Sequence, residues 1–151
     1  VYLSLTFNDN GRAHDDLELR FAGQQWICDS YYYALDDEVL PGVENQAKVR
    51  AVMRRLLEQW QDATRNLMAG EVAFLPYAFF DLSTGWLHCT RTEKGFVIVH
   101  GWSDVEGWSI LPSTIGPMMR GLGDFRADGA TLEIGTRELA DAISASLSML
   151  A

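Results

Sequence analysis

The sequence predicts an α+β protein in which mainly antiparallel β-sheet packs against one long central helix and a C-terminal helix. Three observations carry that expectation. Residues 44–68 hold the clearest helical apolar period in the chain, the segments on either side alternate with period two between turn signals, and helical spacing returns at the end. A length of 151 residues matches one ordinary domain with a sizeable core.

The elements follow in chain order. Tyr2, Leu3, Leu5 and Phe7 alternate as a strand, Asn8 to Gly11 is a turn signal, and Leu17 to Phe21 resumes the alternation. Ala22 to Gln25 permits a tight turn into Trp26–Leu35, expected as a third strand. On a strand, the consecutive tyrosines Tyr31, Tyr32 and Tyr33 place at least one ring on each face, so one is expected to be exposed. The acidic stretch Asp36 to Gly42 closes this meander.

In the long helix Val49, Val52, Met53, Leu56, Leu57, Trp60, Ala63 and Leu67 form the apolar face. Lys48, Arg50, Arg54, Arg55, Glu58, Asp62 and Arg65 form the opposite one, and Gly70 suits a left-handed C-terminal cap. Strands are then expected at Val72–Pro76, Trp86–Thr90 and Phe96–Trp102, with a short one around Gly107–Leu111. Residues 112–130 read as a long irregular loop, of the kind that is either functional or mobile. A short strand at Thr131–Ile134 leads into a helix over Thr136–Leu150, whose buried stripe is Leu139, Ile143, Leu147 and Leu150.

Charge limits the function classes. With 21 acidic and 12 basic residues the chain carries a net charge of −9. Such a surface repels nucleic acid and anionic lipid, so neither partner is expected. The charge is also unevenly placed: residues 44–68 net +2, leaving −11 on the predicted strands and loops. No apolar run is long enough to span a bilayer, and Val1 to Phe7 alternates like a strand with no basic n-region. The two cysteines, Cys28 and Cys89, are expected as free, half-buried thiols, which points to the cytoplasm.

Catalytic and metal signatures are weak. His88 and Cys89 are adjacent on a strand and point to opposite faces, and the ligand spacings of structural metal sites are absent, so no metal or cofactor is expected. His100, Ser103 and Asp104 combine the residue types of a nucleophilic triad, but without an elbow or an oxyanion hole; a strand-end turn with a local serine or aspartate hydrogen bond is what they are expected to form. Carboxylate pairs drawn from Asp36, Asp37, Glu38, Asp81, Asp104 and Glu106 are what any acidic chain supplies. Gly121 and Gly123 lack the strand and helix that make a phosphate cradle.

The Gly-Trp-Ser pair at 101–103 and 107–109 stands apart. It places Trp102 and Trp108 on either side of Asp104-Val-Glu106, expected as a hairpin-like turn with two carboxylates at its tip. A cross-strand tryptophan pair supporting the sheet is the plain explanation. Recognition of a basic surface is the functional one, because tryptophan combines a large rigid area with a single donor. Tyr32, Asp36, Asp37, Glu38, Asp81, Trp102, Asp104, Glu106 and Trp108 are therefore the candidate partner-binding residues.

The long helix with Trp60 and Leu67, then Leu75-Pro-Tyr77, Asp81, Gly85-Trp86 and Glu106 to Ser113, together resemble small bacterial α+β immunity proteins to polymorphic or contact-dependent toxins. The resemblance spans residues 44–113. It implies a non-enzymatic, acidic cytoplasmic protein that binds and neutralises one cognate basic toxin domain. The competing expectation is a small enzyme or ligand-binding domain with a pocket lined by aromatics, His88, His100 and a carboxylate. An accessory role through Arg50, Arg54 and Arg55 is a third, and homodimerisation through a strand edge is compatible with all of them.

Overall fold

The computed structural model describes residues 3–151, so the expectation that Tyr2 opens the first strand lies outside the described residues. Two antiparallel sheets pack against a long central helix and a C-terminal helix. The first sheet is β1 (Leu3–Phe7), β2 (Leu17–Phe21) and β3 (Gln24–Cys28), joined in that order. Its period-two pattern buries Leu3, Leu5, Leu17, Leu19 and Phe21, with Leu5 opposite Leu19 and Leu3 opposite Phe21.

Ala22 and Gly23 form the two-residue turn between β2 and β3, at φ of 53° and 78°. Both positions are left-handed, the geometry that matches strand twist, and alanine is disfavoured there. Ala22→Asn is expected to raise unfolding stability by about 0.5–1 kcal/mol, read as a higher urea midpoint at constant slope.

The third predicted strand ends early. After Cys28 the chain turns into α1 (Tyr31–Ala34), a single helical turn. A distant carboxylate causes the turn: buried Asp16 accepts from the Ser30 backbone N–H at 2.9 Å and from its hydroxyl at 2.7 Å. The three tyrosines thus fan around a helix. Tyr33 is buried, Tyr32 half-buried and Tyr31 exposed.

Helix α2 (Gln46–Arg65) starts where Asn45 accepts from the N–H groups of Ala47 and Lys48, a side-chain N-cap. Its predicted apolar face is buried from Val49 to Trp60. Lys48, expected on the polar face, is fully buried instead: its ammonium donates to the Asp36 carbonyl at 2.7 Å and to Asp37 Oδ1 at 3.2 Å. Gly70 has the expected positive φ of 87°, but it lies in the turn beyond the helix, whose last residue is Arg65 and whose C-cap is Asn66.

The second sheet runs β4 (Val72–Phe79), β5 (Thr84–Arg91), β6 (Gly95–Ser103) and β7 (Arg126–Gly135), paired in that order. Strand β4 is an edge strand, the place where Pro76 is tolerated because no ladder donor is lost. A bulge between Pro76 and Ala78 turns two carbonyls away from the ladder, and side chains satisfy both. Trp60 Nε1 donates to Pro76 O at 3.0 Å, and the Tyr33 hydroxyl donates to Tyr77 O at 2.5 Å.

The register gives this sheet two distinct faces. Leu75, Leu87 and His100 share one, and Phe74, His88 and Val99 share the other. The first sheet packs on the former face, with Trp26 and Phe21 beside His100. The segment expected as a loose loop packs on the latter. Ile115, Met119 and Leu122 are buried in it, and Phe125 lies against Phe74 and His88. What was expected as a short strand at Thr131–Ile134 is the end of the ten-residue β7.

Helix α3 (Thr136–Ser148) begins where Glu138 reaches back to accept from the Gly135 N–H. The Ser146 hydroxyl accepts from the Leu5 N–H at 3.1 Å, which ties α3 to β1. Cys28 and Cys89 are free and fully buried, and burial pushes both thiols well above the ordinary value. Among the described residues no helix is long and apolar enough to cross a membrane.

Candidate acidic and aromatic surface

Three segments meet at one end of the second sheet: α1 with the acidic stretch after it, the β4–β5 turn, and residues 104–114. Tyr32 donates its hydroxyl to Asp81 in the β4–β5 turn, and this bond to the carboxylate is the main reason that the Tyr32 pKa is pushed up to about 12. Gly107 N–H donates to Phe80 O at 2.7 Å, fastening the third segment to the same turn. Asp36 closes the circuit, accepting from the Ser113 N–H at 2.8 Å and from the Glu38 N–H at 3.1 Å.

The expected strand at Gly107–Leu111 is a 3-10 turn over Gly107–Ser109, followed by a lone bridge between Leu111 and Thr114. Close packing forces this. A Cβ on Gly107 would stand 2.4 Å from Phe80 O, so only glycine lets the backbone come this near. Gly107→Ala is expected to cost about 2 kcal/mol of stability by overpacking, measured by urea unfolding.

Trp102 and Trp108 are consequently not a cross-strand pair. Trp108 is 61% exposed, and its Nε1–H donates to Glu106 Oε2 at 3.1 Å. Trp102 is half-buried and packs edge-on against His100 and near Phe80. Asp104 is exposed and paired with Arg126 at 3.0 Å, while its N–H is held by Asp124. The Ser103 hydroxyl donates to Asp124, and that bond is the leading cause of the lowered Asp124 pKa.

Asp36 departs furthest from its expected place. It is fully buried, and its carboxylate joins the loop after α1 to Ser113, so it braces the surface from beneath. Asp37 is exposed, with its pKa lowered chiefly by the hydrogen bond from Lys48. Glu38 and Asp81 are exposed and Glu106 half-exposed, and none of the three has a cation within ion-pair distance among the described residues. Large apolar side chains also reach solvent on these segments: Tyr31, Leu35, Leu82 at 77% exposure, Trp108 and Leu111.

His100 belongs to a different cluster, between the two sheets. Its Nδ1 lies 2.6 Å from Asp128 Oδ2 and its Nε2 lies 2.6 Å from the Tyr77 hydroxyl. Trp26 stacks on the ring at 3.9 Å, 16° from parallel. Burial holds the His100 pKa below its ordinary value, with the Asp128 hydrogen bond acting in the opposite direction. In the neutral ring Nδ1–H donates to Asp128 and Nε2 accepts from Tyr77, so every polar atom is used.

Sequence reasoning missed Tyr77, Asp128 and Trp26 as partners of His100. Their separations of 23 and 28 residues for the two hydrogen bonds leave no local signal. Neither the triad nor the two-histidine pocket forms. Ser103 and Asp104 bond to the Asp124 carboxylate rather than to His100, and His88 lies on the opposite face with burial lowering its pKa. Both ring nitrogens bond within the second sheet, to Tyr77 on β4 and Asp128 on β7, while Trp26 of the first sheet covers the ring face and Trp102 meets its edge.

An open depression of about 830 Å³ lies between the end of α2, the start of β4 and Gly116 to Arg120. A second, of about 530 Å³, flanks the β5–β6 turn, and neither is lined by His100, Tyr77 or Asp128. No group of three or more His, Cys, Asp or Glu side chains able to hold a metal occurs among the described residues. Comparison of the chain with protein-family models, with curated proteins and with solved structures gave no match.

Proposed function

We propose that this chain is a non-enzymatic binding protein whose acidic and aromatic end caps a basic protein partner, and that the partner is a cognate toxin domain that it neutralises. One observation carries the reading. Exposed Tyr31, Leu35, Leu82, Trp108 and Leu111 lie on three hydrogen-bonded segments beside Glu38, Asp81 and Glu106, carboxylates with no cationic partner among the described residues. Apolar anchors beside unpaired charge of one sign suit a protein surface of the opposite charge. Tryptophan and tyrosine supply the affinity, and the carboxylates supply encounter rate and partner choice.

The frame beneath supports this role. Asp36 and Lys48 fix the loop after α1, and Gly107 fixes the Trp108 turn, so the anchors are presented with little ordering left to do on binding. The test is co-expression with the product of the gene immediately upstream. The wild-type chain is expected to restore growth and to form a stoichiometric complex with that product. An upstream product that is harmless, or toxic but unbound, overturns the proposal.

A further inference from the structure

Resting on the binding role just proposed, we infer that Trp108 and Glu106 form a clamp for one arginine side chain of the partner protein. Trp108 is 61% exposed, and among the described residues no aromatic ring or cation packs on its indole. The indole is nonetheless held in place, because its Nε1–H donates to Glu106 Oε2 at 3.1 Å. The turn is braced again where the Ser109 hydroxyl donates to Glu106 O at 2.7 Å. An open π-face therefore stands fixed beside a carboxylate, and among the described residues that carboxylate has no cation within ion-pair distance.

The chemistry selects the occupant. A cation over an indole is attracted by the ring quadrupole, and a carboxylate at the ring edge adds a charge-assisted acceptor. Guanidinium is planar, weakly hydrated and able to stack while its edge N–H groups reach the carboxylate; ammonium does only part of this. Exposed Leu82 and Leu111, on segments linked to the same turn, offer apolar surface for the arginine stem. A phosphate or nucleic acid is repelled by Glu106, and a second copy docking face to face brings like charges together.

The test is titration of the 15N-labelled chain with three blocked peptides identical except for a central arginine, lysine or citrulline. The Trp108 indole N–H resonance is identified by its loss in Trp108→Phe. The arginine peptide is expected to shift it saturably, the lysine peptide to bind about threefold more weakly, and the uncharged citrulline peptide to leave it unmoved. Glu106→Gln is expected to weaken the arginine peptide about threefold or more. Equal shifts with citrulline, no shift with arginine, or indifference to Glu106→Gln overturns the clamp. So does a resonance that moves with protein concentration alone, which indicates arginines of a second copy on the site. A partner that requires Trp108 but is indifferent to Glu106→Gln leaves the binding role standing and removes only the clamp.

Discussion

Trp108→Ala is expected to weaken partner binding by about 2 kcal/mol or more, roughly thirtyfold in Kd, while leaving the urea midpoint of the free protein nearly unchanged. The two halves follow from one geometry. Trp108 is 61% exposed and, among the described residues, its side chain bonds only to the neighbouring Glu106 carboxylate, so its removal opens no core cavity. On the proposed role the same ring is a desolvated anchor in the complex, the setting in which tryptophan truncations are most costly. Isothermal titration with the upstream gene product reads the first half, and urea unfolding reads the second. A variant that binds normally, or one that unfolds with the loss, contradicts the assignment.

His100→Ala is expected to do the reverse, lowering stability by about 3 kcal/mol or more. It removes a fully buried ring from between Trp26 and Trp102 and leaves the Tyr77 hydroxyl and Asp128 without their shared partner. The wild-type protein carries a matching pH signature. Burial lowers the pKa of His100 below its ordinary 6.5, so the folded state binds protons less readily than the unfolded one. Stability is therefore complete above about pH 6.5 and declines as the pH falls toward the folded-state value. His88, whose pKa burial also lowers, contributes in the same direction. His88→Phe is expected to keep the His100 part of the slope. Urea midpoints that stay flat between about pH 7.5 and 5.5 rule out the neutral His100 network.

The contrast between these two residues shows what was legible in the chain. Period-two alternation in Leu17 to Phe21 and helical spacing from Val49 to Trp60 are local signals, and both elements and their buried faces stand where expected. Three consecutive tyrosines favour a strand over Tyr31 to Ala34, while the bond that decides the turn comes from Asp16, 14 residues before Ser30. Charged side chains are usually exposed, which puts Lys48 on the polar face of the helix and Asp36 among the partner-binding residues in a reading of the sequence. Each is buried with a partner that only the tertiary fold supplies, the Asp36 carbonyl for Lys48 and the Ser113 N–H for Asp36.

Within the candidate surface, Tyr32, Asp81, Glu106 and Trp108 were readable as acids and aromatics near turn signals, and contacts link the segments that carry them. Trp102 was not separable from Trp108 by spacing alone. Its place depends on strand parity: it lies two residues from His100 on the same face of β6, with its ring meeting the His100 edge. Gly129 and the polar residues at the start of β7 mask its period, yet Arg126–Ala127 and Thr131–Gly135 both pair with β6, on either side of an irregularity.

On the proposed role, this end of the second sheet is the partner-binding face. Hydrogen exchange of the free chain and of its complex with the upstream gene product tests it most directly. Protection gained in peptides covering 31–38, 80–83 and 104–113 is the predicted result. Protection confined to β7, or to the depression between the end of α2 and residues 116–120, contradicts it.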